Sequence, residues 1–119
     1  MRLLGRAKAL QIHIGERDTW QGKPLHEAIV ARARELGIAG ATVYRGLSGY
    51  GAHRKIHTHK AMGLAQDDPL TIEIIDIVER VEKLLVALDP MLAGGCLMTM
   101  SDVDVVRYTT PDEGGAPST

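Results

Sequence analysis

Internal disulfide bonds and membrane-spanning segments are both excluded by what this sequence lacks. Its only cysteine, Cys96, has no second thiol to pair with, so a reducing cytoplasm is the expected location. A membrane-spanning helix needs roughly 18–20 apolar residues in succession. No run in the chain approaches that length, and we therefore do not expect a membrane-embedded protein.

The chain also lacks an excess of charge and has few aromatic residues. Its formal net charge is −1, whereas a nucleic-acid-binding domain is normally clearly basic, so nucleic acid is not an expected partner. Phenylalanine is absent and there is one tryptophan, so the core must be mainly aliphatic. A small domain with few large core residues is a natural candidate for stabilisation by oligomerisation.

Apolar residues recur with two periods and predict four strands and two helices. Alternation of apolar and polar residues predicts strands over residues 10–14, 41–47, 70–74 and 96–100. Helical spacing predicts one helix that begins at Pro24 and stops before Gly37. A second helix is expected between Asp76 and Pro90, and Asp76 and Glu79 have the spacing of a capping box.

This order of elements predicts an α+β domain with the ferredoxin-like βαββαβ arrangement. In that arrangement a four-stranded antiparallel sheet carries both helices on one face. The other face is then open, and its candidate residues are Thr42, Tyr44, Thr71 and Glu73. A kink at Ser101-Asp102 would make Val103–Val106 a short extra strand. The tail, residues 109–119, has no periodicity and is predicted to be disordered.

The fourth predicted strand carries sulfur-containing residues on one face. Cys96, Met98 and Met100 alternate there, and their apolar context favours a core position over a soft-metal site. No Ser/His/Asp arrangement can be assembled from the sequence, and a lone thiol in an apolar strand is a poor nucleophile. We therefore do not expect an enzyme.

The stretch between the second and third predicted strands is the clearest candidate for a functional site. It runs from Gly46 to Pro69, about twenty residues, and loops of that length in small domains are usually functional or disordered. No acidic residue occurs between Glu35 and Asp67, while the interval contains four cations: Arg45, Arg54, Lys55 and Lys60. A locally positive loop on a near-neutral chain indicates an anionic partner.

Glycines at the base of this loop suggest how an anion would be held. Backbone N–H groups of Gly46, Gly49 and Gly51 could face a phosphate or carboxylate, with charge supplied by Arg45, Arg54 and Lys55. The alternative is a solvated loop with no small-molecule site, which would make the protein a scaffold that binds only another protein.

Three loop histidines offer a divalent metal site as a further alternative. His53 and His57 would share a face in a helix, whereas His57 and His59 would share a face in a strand. Neither spacing brings all three imidazoles together, and structural zinc sites normally have more tightly specified Cys/His spacing.

Several motifs occur one after another along the chain: Gly15-Glu16-Arg17-Asp18, Gly22-Lys23-Pro24-Leu25-His26-Glu27-Ala28-Ile29-Val30, Ala33-Arg34-Glu35-Leu36-Gly37, Gly40-Ala41-Thr42-Val43-Tyr44-Arg45-Gly46, Gly49-Tyr50-Gly51-Ala52 and Ile56-His57-Thr58. In this order they closely resemble the domain of unknown function 190 family, which is related to the PII signal-transduction proteins. The resemblance spans roughly residues 8–108.

The resemblance implies a single PII-like domain over residues 1–108, a compact homotrimer and a mobile T-loop over about residues 48–68. In PII proteins adenine nucleotides bind in clefts between subunits, and the T-loop signals the bound ligand to a membrane transporter or an enzyme. By position, the implied ligand-binding elements here are Arg45–Gly51 at the loop base, the turn Gly94-Gly95, and Arg107 from the last extended segment.

The chain departs from the PII pattern before its fourth strand. PII proteins carry a longer phosphate loop there that contains glycine and lysine, whereas this chain has only Leu92–Cys96 with no lysine. Tyr50 lies at the loop base, where a structural role is expected, and does not match the modified tyrosine of PII proteins. The resemblance therefore leaves open whether ATP or ADP binds.

Overall fold

A computed structural model describes residues 5–52, 57–58 and 67–111, with only the backbone described at 57–58. Four strands form one antiparallel sheet in the order β2-β3-β1-β4. They are β1 (Gly5–Gly15), β2 (Gly40–Arg45), β3 (Pro69–Asp76) and β4 (Leu97–Val105). Helix α1 (Leu25–Glu35) connects β1 to β2, and helix α2 (Val78–Leu88) follows β3. The predicted ferredoxin-like βαββαβ fold is confirmed.

The core lies between the sheet and the two helices. Alternate residues of the central strands point towards the helices, and the paired residues Ile12 and Ile72 are both completely buried. Ile29 of α1 and Leu84 of α2 are completely buried above them. Gly37 adopts a φ of 73°, which favours glycine, immediately after α1 ends. The predicted helical stripes therefore face the core.

The other face of the sheet carries the predicted polar residues. Thr42 pairs with Glu73, and Tyr44 pairs with Thr71, on the side opposite the buried residues of β3. Tyr44 is exposed at 52% of its surface, so this part of the face is uncovered in the single chain. The assignment of these four residues to the open face is confirmed.

Two predictions about the ends of the sheet are wrong. The first predicted strand, residues 10–14, starts too late, since β1 begins at Gly5 and residues 5–8 pair with β4. No kink interrupts β4, since Ser101 and Asp102 pair with Ala9 and Lys8. Val103–Val105 therefore extend β4 and do not form an extra strand. Residues 112–119 of the predicted disordered tail lie outside the described residues.

The two methionines of β4 are not core residues in the single chain. Met98 and Met100 pair with Ile12 and Leu10, which places them on the helix-bearing side of the sheet. They are nevertheless 38% and 44% exposed. The reason is that β4 is an edge strand, whereas α2 packs over β1 and β3.

Asp76 does not cap α2. It is the last residue of β3 and is completely buried, and the residue that precedes the helix is Ile77. Its carboxylate accepts the backbone N–H of Ala39 at 3.0 Å and that of Ile77 at 2.7 Å. No side chain caps the start of α2, so the predicted capping box with Glu79 is wrong.

Among the described residues, no helix is long and apolar enough to cross a membrane.

Candidate functional site

A cleft of about 210 Å³ opens at the end of the sheet where β1 and β2 end and β3 begins. It brings together four of the glycines predicted as ligand-binding residues: Gly46, Gly49, Gly51 and Gly95. The first three lie at the base of the long loop, and the fourth lies in the turn before β4. Segments that are distant in the sequence therefore share one concave surface.

Gly46 is needed here because the start of β3 passes very close to it. Its N–H donates to the carbonyl oxygen of Pro69 at 2.7 Å. A Cβ atom at this position would lie 3.0 Å from Cγ of the Pro69 ring, which is closer than an ordinary van der Waals contact. The Gly46 N–H that was considered for an anion therefore bonds to the chain itself.

Gly95 shapes the opposite side of the cleft. A short 3₁₀ helix, Asp89–Leu92, follows α2, and Gly95 N–H donates to the carbonyl oxygen of Leu92 at 3.0 Å. The φ of Gly95 is 109°, a conformation that a residue with a Cβ rarely adopts. Gly94 belongs to the same turn and is not among the described residues that line the cleft.

Beside the cleft, Arg45 contacts two carboxylates. Its Nη1 lies 2.7 Å from Oε2 of Glu16 and 2.6 Å from Oδ2 of Asp68. Hydrogen bonds from the guanidinium to Glu16 and Asp68 raise the pKa of Arg45 above its ordinary value. Asp68 is completely buried, and its carbonyl oxygen accepts the Glu16 N–H at 2.8 Å. We refer to Glu16, Arg45 and Asp68 as the Arg45 cluster.

In the described part of the single chain, none of the other predicted cations lies at this cleft. Arg107 lines a separate cleft of about 500 Å³, with Gly40 and Val105, at the opposite end of the sheet. Arg54, Lys55, His53 and His59 lie outside the described residues, and only the backbone of His57 is described. His57–Thr58 pairs with Ser48–Gly49 as a two-residue ladder.

No group of three or more His, Cys, Asp or Glu side chains within residues 5–52 and 67–111 is arranged to hold a metal ion. The side chains of the three loop histidines lie outside the described residues. The metal alternative therefore depends on residues that the structure leaves undescribed.

Three further side chains line the cleft although none of them was predicted as a ligand-binding residue. His13 lies half-buried on β1, and its Nδ1 is 3.1 Å from the hydroxyl of Thr71. Asp18 accepts the N–H of Gly15 at 2.9 Å. Cys96 is half-buried, and burial raises the pKa of its thiol. Alternation over residues 10–14 puts His13 on the polar side of the strand, but it cannot show that this face ends in a cleft.

The chain is similar to proteins of one named family. The family model DUF190, described as "Uncharacterized ACR", matches residues 7–105. A "UPF0166 protein" from Aquifex aeolicus (strain VF5) is 36% identical over 101 residues, which are 85% of this chain and 94% of that protein. "UPF0166 protein MJ1524" from Methanocaldococcus jannaschii is 31% identical over 105 residues, which are 88% of this chain and 96% of that protein.

The fold is also similar to that of a solved structure. CPII, a nitrogen regulatory PII-like protein from Thiomonas intermedia K12 bound to ADP, AMP and bicarbonate, superposes with a TM-score of 0.67 at 23% sequence identity. The match covers 88% of this chain and 92% of that chain. The PII-like form of the ferredoxin-like fold is therefore confirmed.

Proposed function

The chain belongs to the DUF190 family, and from this premise we propose that it is a non-enzymatic, cytoplasmic regulator of the PII-like type. It binds a small anionic ligand, with an adenine nucleotide as the first candidate, in clefts between the subunits of a homotrimer. Its T-loop, residues 48–68, reports the bound ligand to a membrane transporter or an enzyme.

The observation that carries this proposal is the cleft at the base of the loop. Gly46, Gly49 and Gly51 line it together with Pro69 and Gly95, so a ligand there would touch both ends of the loop and the turn before β4. The similar structure of CPII contains ADP, AMP and bicarbonate, which are small anions of the proposed class. A ligand in such a position can alter the loop directly because the loop forms part of the wall.

Arg107 can belong to this cleft only if the cleft lies at a subunit boundary. In one chain it lies at the far end of the sheet from Gly95, so it could reach this cleft only from a neighbouring copy. The exposed edge strands and the open polar face of the sheet provide surfaces through which copies could associate. Sedimentation equilibrium of the full chain tests this part, and a monomer at micromolar concentration would contradict it.

A thermal-shift panel tests the ligand. ATP, ADP, AMP and bicarbonate are added separately to the full chain, and its unfolding is followed. A ligand present at about 100 times its Kd stabilises the folded state by about 2.7 kcal/mol, which is easily detected. We expect at least one adenine nucleotide to stabilise the protein, and no stabilisation of a folded trimer by any of them would contradict the proposal.

A further inference from the structure

We propose that the returning end of the long loop and a hairpin beside α1 move together, so that the state of the loop changes the surface around Trp20. The returning end is Asp67-Asp68. The hairpin consists of residues 19–24 and is called the Trp20 hairpin. The coupling goes beyond the proposed function and does not depend on it, because it concerns the loop with or without a nucleotide.

A tight turn between β1 and the hairpin is the element that the loop and the hairpin share. The carbonyl oxygen of Gly15 accepts the N–H of Asp18 at 3.1 Å, and the carboxylate of Asp18 accepts the N–H of Gly15 at 2.9 Å. These two bonds close a four-residue turn whose central residues are Glu16 and Arg17. The turn is therefore a small unit that is held at both of its ends.

The returning end of the loop is bonded to the two central residues of this turn. Glu16 N–H donates to the carbonyl oxygen of Asp68 at 2.8 Å, and Arg17 N–H donates to Oδ1 of Asp67 at 3.2 Å. In the reverse direction, Asp68 N–H donates to Oε1 of Glu16 at 3.4 Å. The guanidinium of Arg45 contacts the carboxylates of Glu16 and Asp68 as well. Release of the loop end would thus leave both central amides of the turn to find new acceptors.

The other end of the turn leads directly into the Trp20 hairpin. Asp18 immediately precedes Thr19, and its carbonyl oxygen accepts the N–H of Leu25 at 2.8 Å. This bond closes the base of the hairpin at the first residue of α1. Within the hairpin, Trp20 pairs with Lys23. A shift of the turn must therefore either move the hairpin or break its bond to α1.

Trp20 carries such a shift to the surface of the helix layer. Its side chain is partly buried and packs against the hydrophobic core. Together with Pro24 and Met91, it lines a groove of about 640 Å³ beside α1. Because tryptophan has a large, rigid side chain, a small displacement of the hairpin changes the shape of this groove. The state of the loop thus affects a surface outside the loop itself.

Two arrangements of the returning end account for the coupling. In the docked arrangement, Asp67 and Asp68 supply acceptors to the N–H groups of Arg17 and Glu16. In the released arrangement, those N–H groups bond to water and the turn loses two of its constraints. An element with two arrangements is what carries energetic coupling between separate sites. Because coupling is reciprocal, a distorted hairpin must also weaken the docking of the loop end.

Asp67→Ala tests the forward direction in the full chain without added ligand. It removes the acceptor of the Arg17 N–H. We expect hydrogen exchange at the Leu25 amide to become about fivefold faster, as for the loss of one ordinary hydrogen bond from a local opening equilibrium. We also expect the fluorescence emission of Trp20, the only tryptophan, to shift. Asp104→Ala is the matched control, since Asp104 is exposed at the opposite end of the sheet. Wild-type exchange at Leu25 with unshifted emission in Asp67→Ala would overturn the proposal.

Gly22→Ala tests the reverse direction. The φ of Gly22 is 77° and nothing lies within 4 Å of an added Cβ atom, so the substitution strains the hairpin without a clash. We expect the Glu16 and Arg17 amides, which hold the loop end, to exchange about two- to fivefold faster.

Gly37→Ala is the matched control for this strain. Gly37 has a φ of 73° and equally free surroundings, but it lies at the other end of α1. NMR measures exchange at the individual amides in both variants. Faster exchange at Glu16 and Arg17 in Gly22→Ala alone would support the proposal. Equal exchange rates in the two variants would show that the hairpin is not coupled to the loop and would overturn it.

Discussion

Nη1 of Arg45 lies 2.6 Å from Oδ2 of Asp68, and this contact joins the two ends of the long loop. Arg45 is the last residue of β2, and Asp68 immediately precedes β3. Glu16, just beyond β1, contacts the same guanidinium nitrogen. Three chain segments are thus tied together next to the cleft, and a ligand that displaced one of them would change how the loop leaves the sheet.

Removal of the positive charge at Arg45 should loosen the loop base. In Arg45→Gln the carboxylates of Glu16 and Asp68 would repel each other without a cation between them. We expect faster hydrogen exchange at the Glu16 and Gly46 amides, which bond to the backbone at Asp68 and Pro69. Arg32→Gln is the control, since it breaks a surface pair on α1. Unchanged exchange at both amides would show that the cluster does not hold the loop.

Gly46→Ala should destabilise the protein, whereas Gly40→Ala should not. The added methyl group at residue 46 would lie 3.0 Å from the Pro69 ring, while nothing lies within 4 Å of the same position at residue 40. Relieving such an overlap costs about 1–2 kcal/mol of unfolding free energy. Urea unfolding at a fixed protein concentration measures both variants. Equal stabilities would mean that β3 can move away at no cost.

Asp76 should contribute more to stability than its sequence neighbour Glu79. Asp76→Ala leaves the N–H groups of Ala39 and Ile77 without their acceptor, which costs about 2–3 kcal/mol when both are poorly solvated. Glu79→Ala should change little, because no side chain caps α2. The same urea experiment compares the two variants. A large loss of unfolding free energy in Glu79→Ala would show that Glu79 does help to cap α2.

Cys96 should react slowly with alkylating agents and more slowly still when a ligand is bound. Burial raises the pKa of its thiol, so less of the reactive thiolate is present at a given pH than for an ordinary cysteine. Because Cys96 lines the cleft, an enclosed ligand should block access to it. Mass spectrometry after timed exposure to iodoacetamide, with and without ADP, measures both effects. A rate that saturating ADP leaves unchanged would place the ligand elsewhere.

The fold could be predicted because it follows from local periodicity. Alternation over residues 10–14 and 70–74 identified strands that become the centre of the sheet. The same alternation placed Thr42 and Tyr44 on the open face, since successive side chains of a strand point to opposite sides. The φ of 73° at Gly37 likewise fits the local helix-stop signal.

The arrangement within the site could not be predicted in the same way. Periodicity assigns Arg45 to a strand end, but its partners Glu16 and Asp68 are set by which strands become neighbours. Asp76 is equally suited in sequence to cap a helix or to hold two backbone amides in the core. The choice depends on Ala39, which lies far away in the chain and reaches Asp76 only in the folded sheet.

Titration calorimetry of ADP into the full chain, with its mass measured in the same buffer, tests the central claim most directly. The account predicts a trimer that binds ADP saturably with one site per chain. It also predicts weaker binding in Gly46→Ala, because that substitution alters the wall of the cleft. A folded protein that gives no binding heat at any temperature tried and no ligand-induced stabilisation would contradict it.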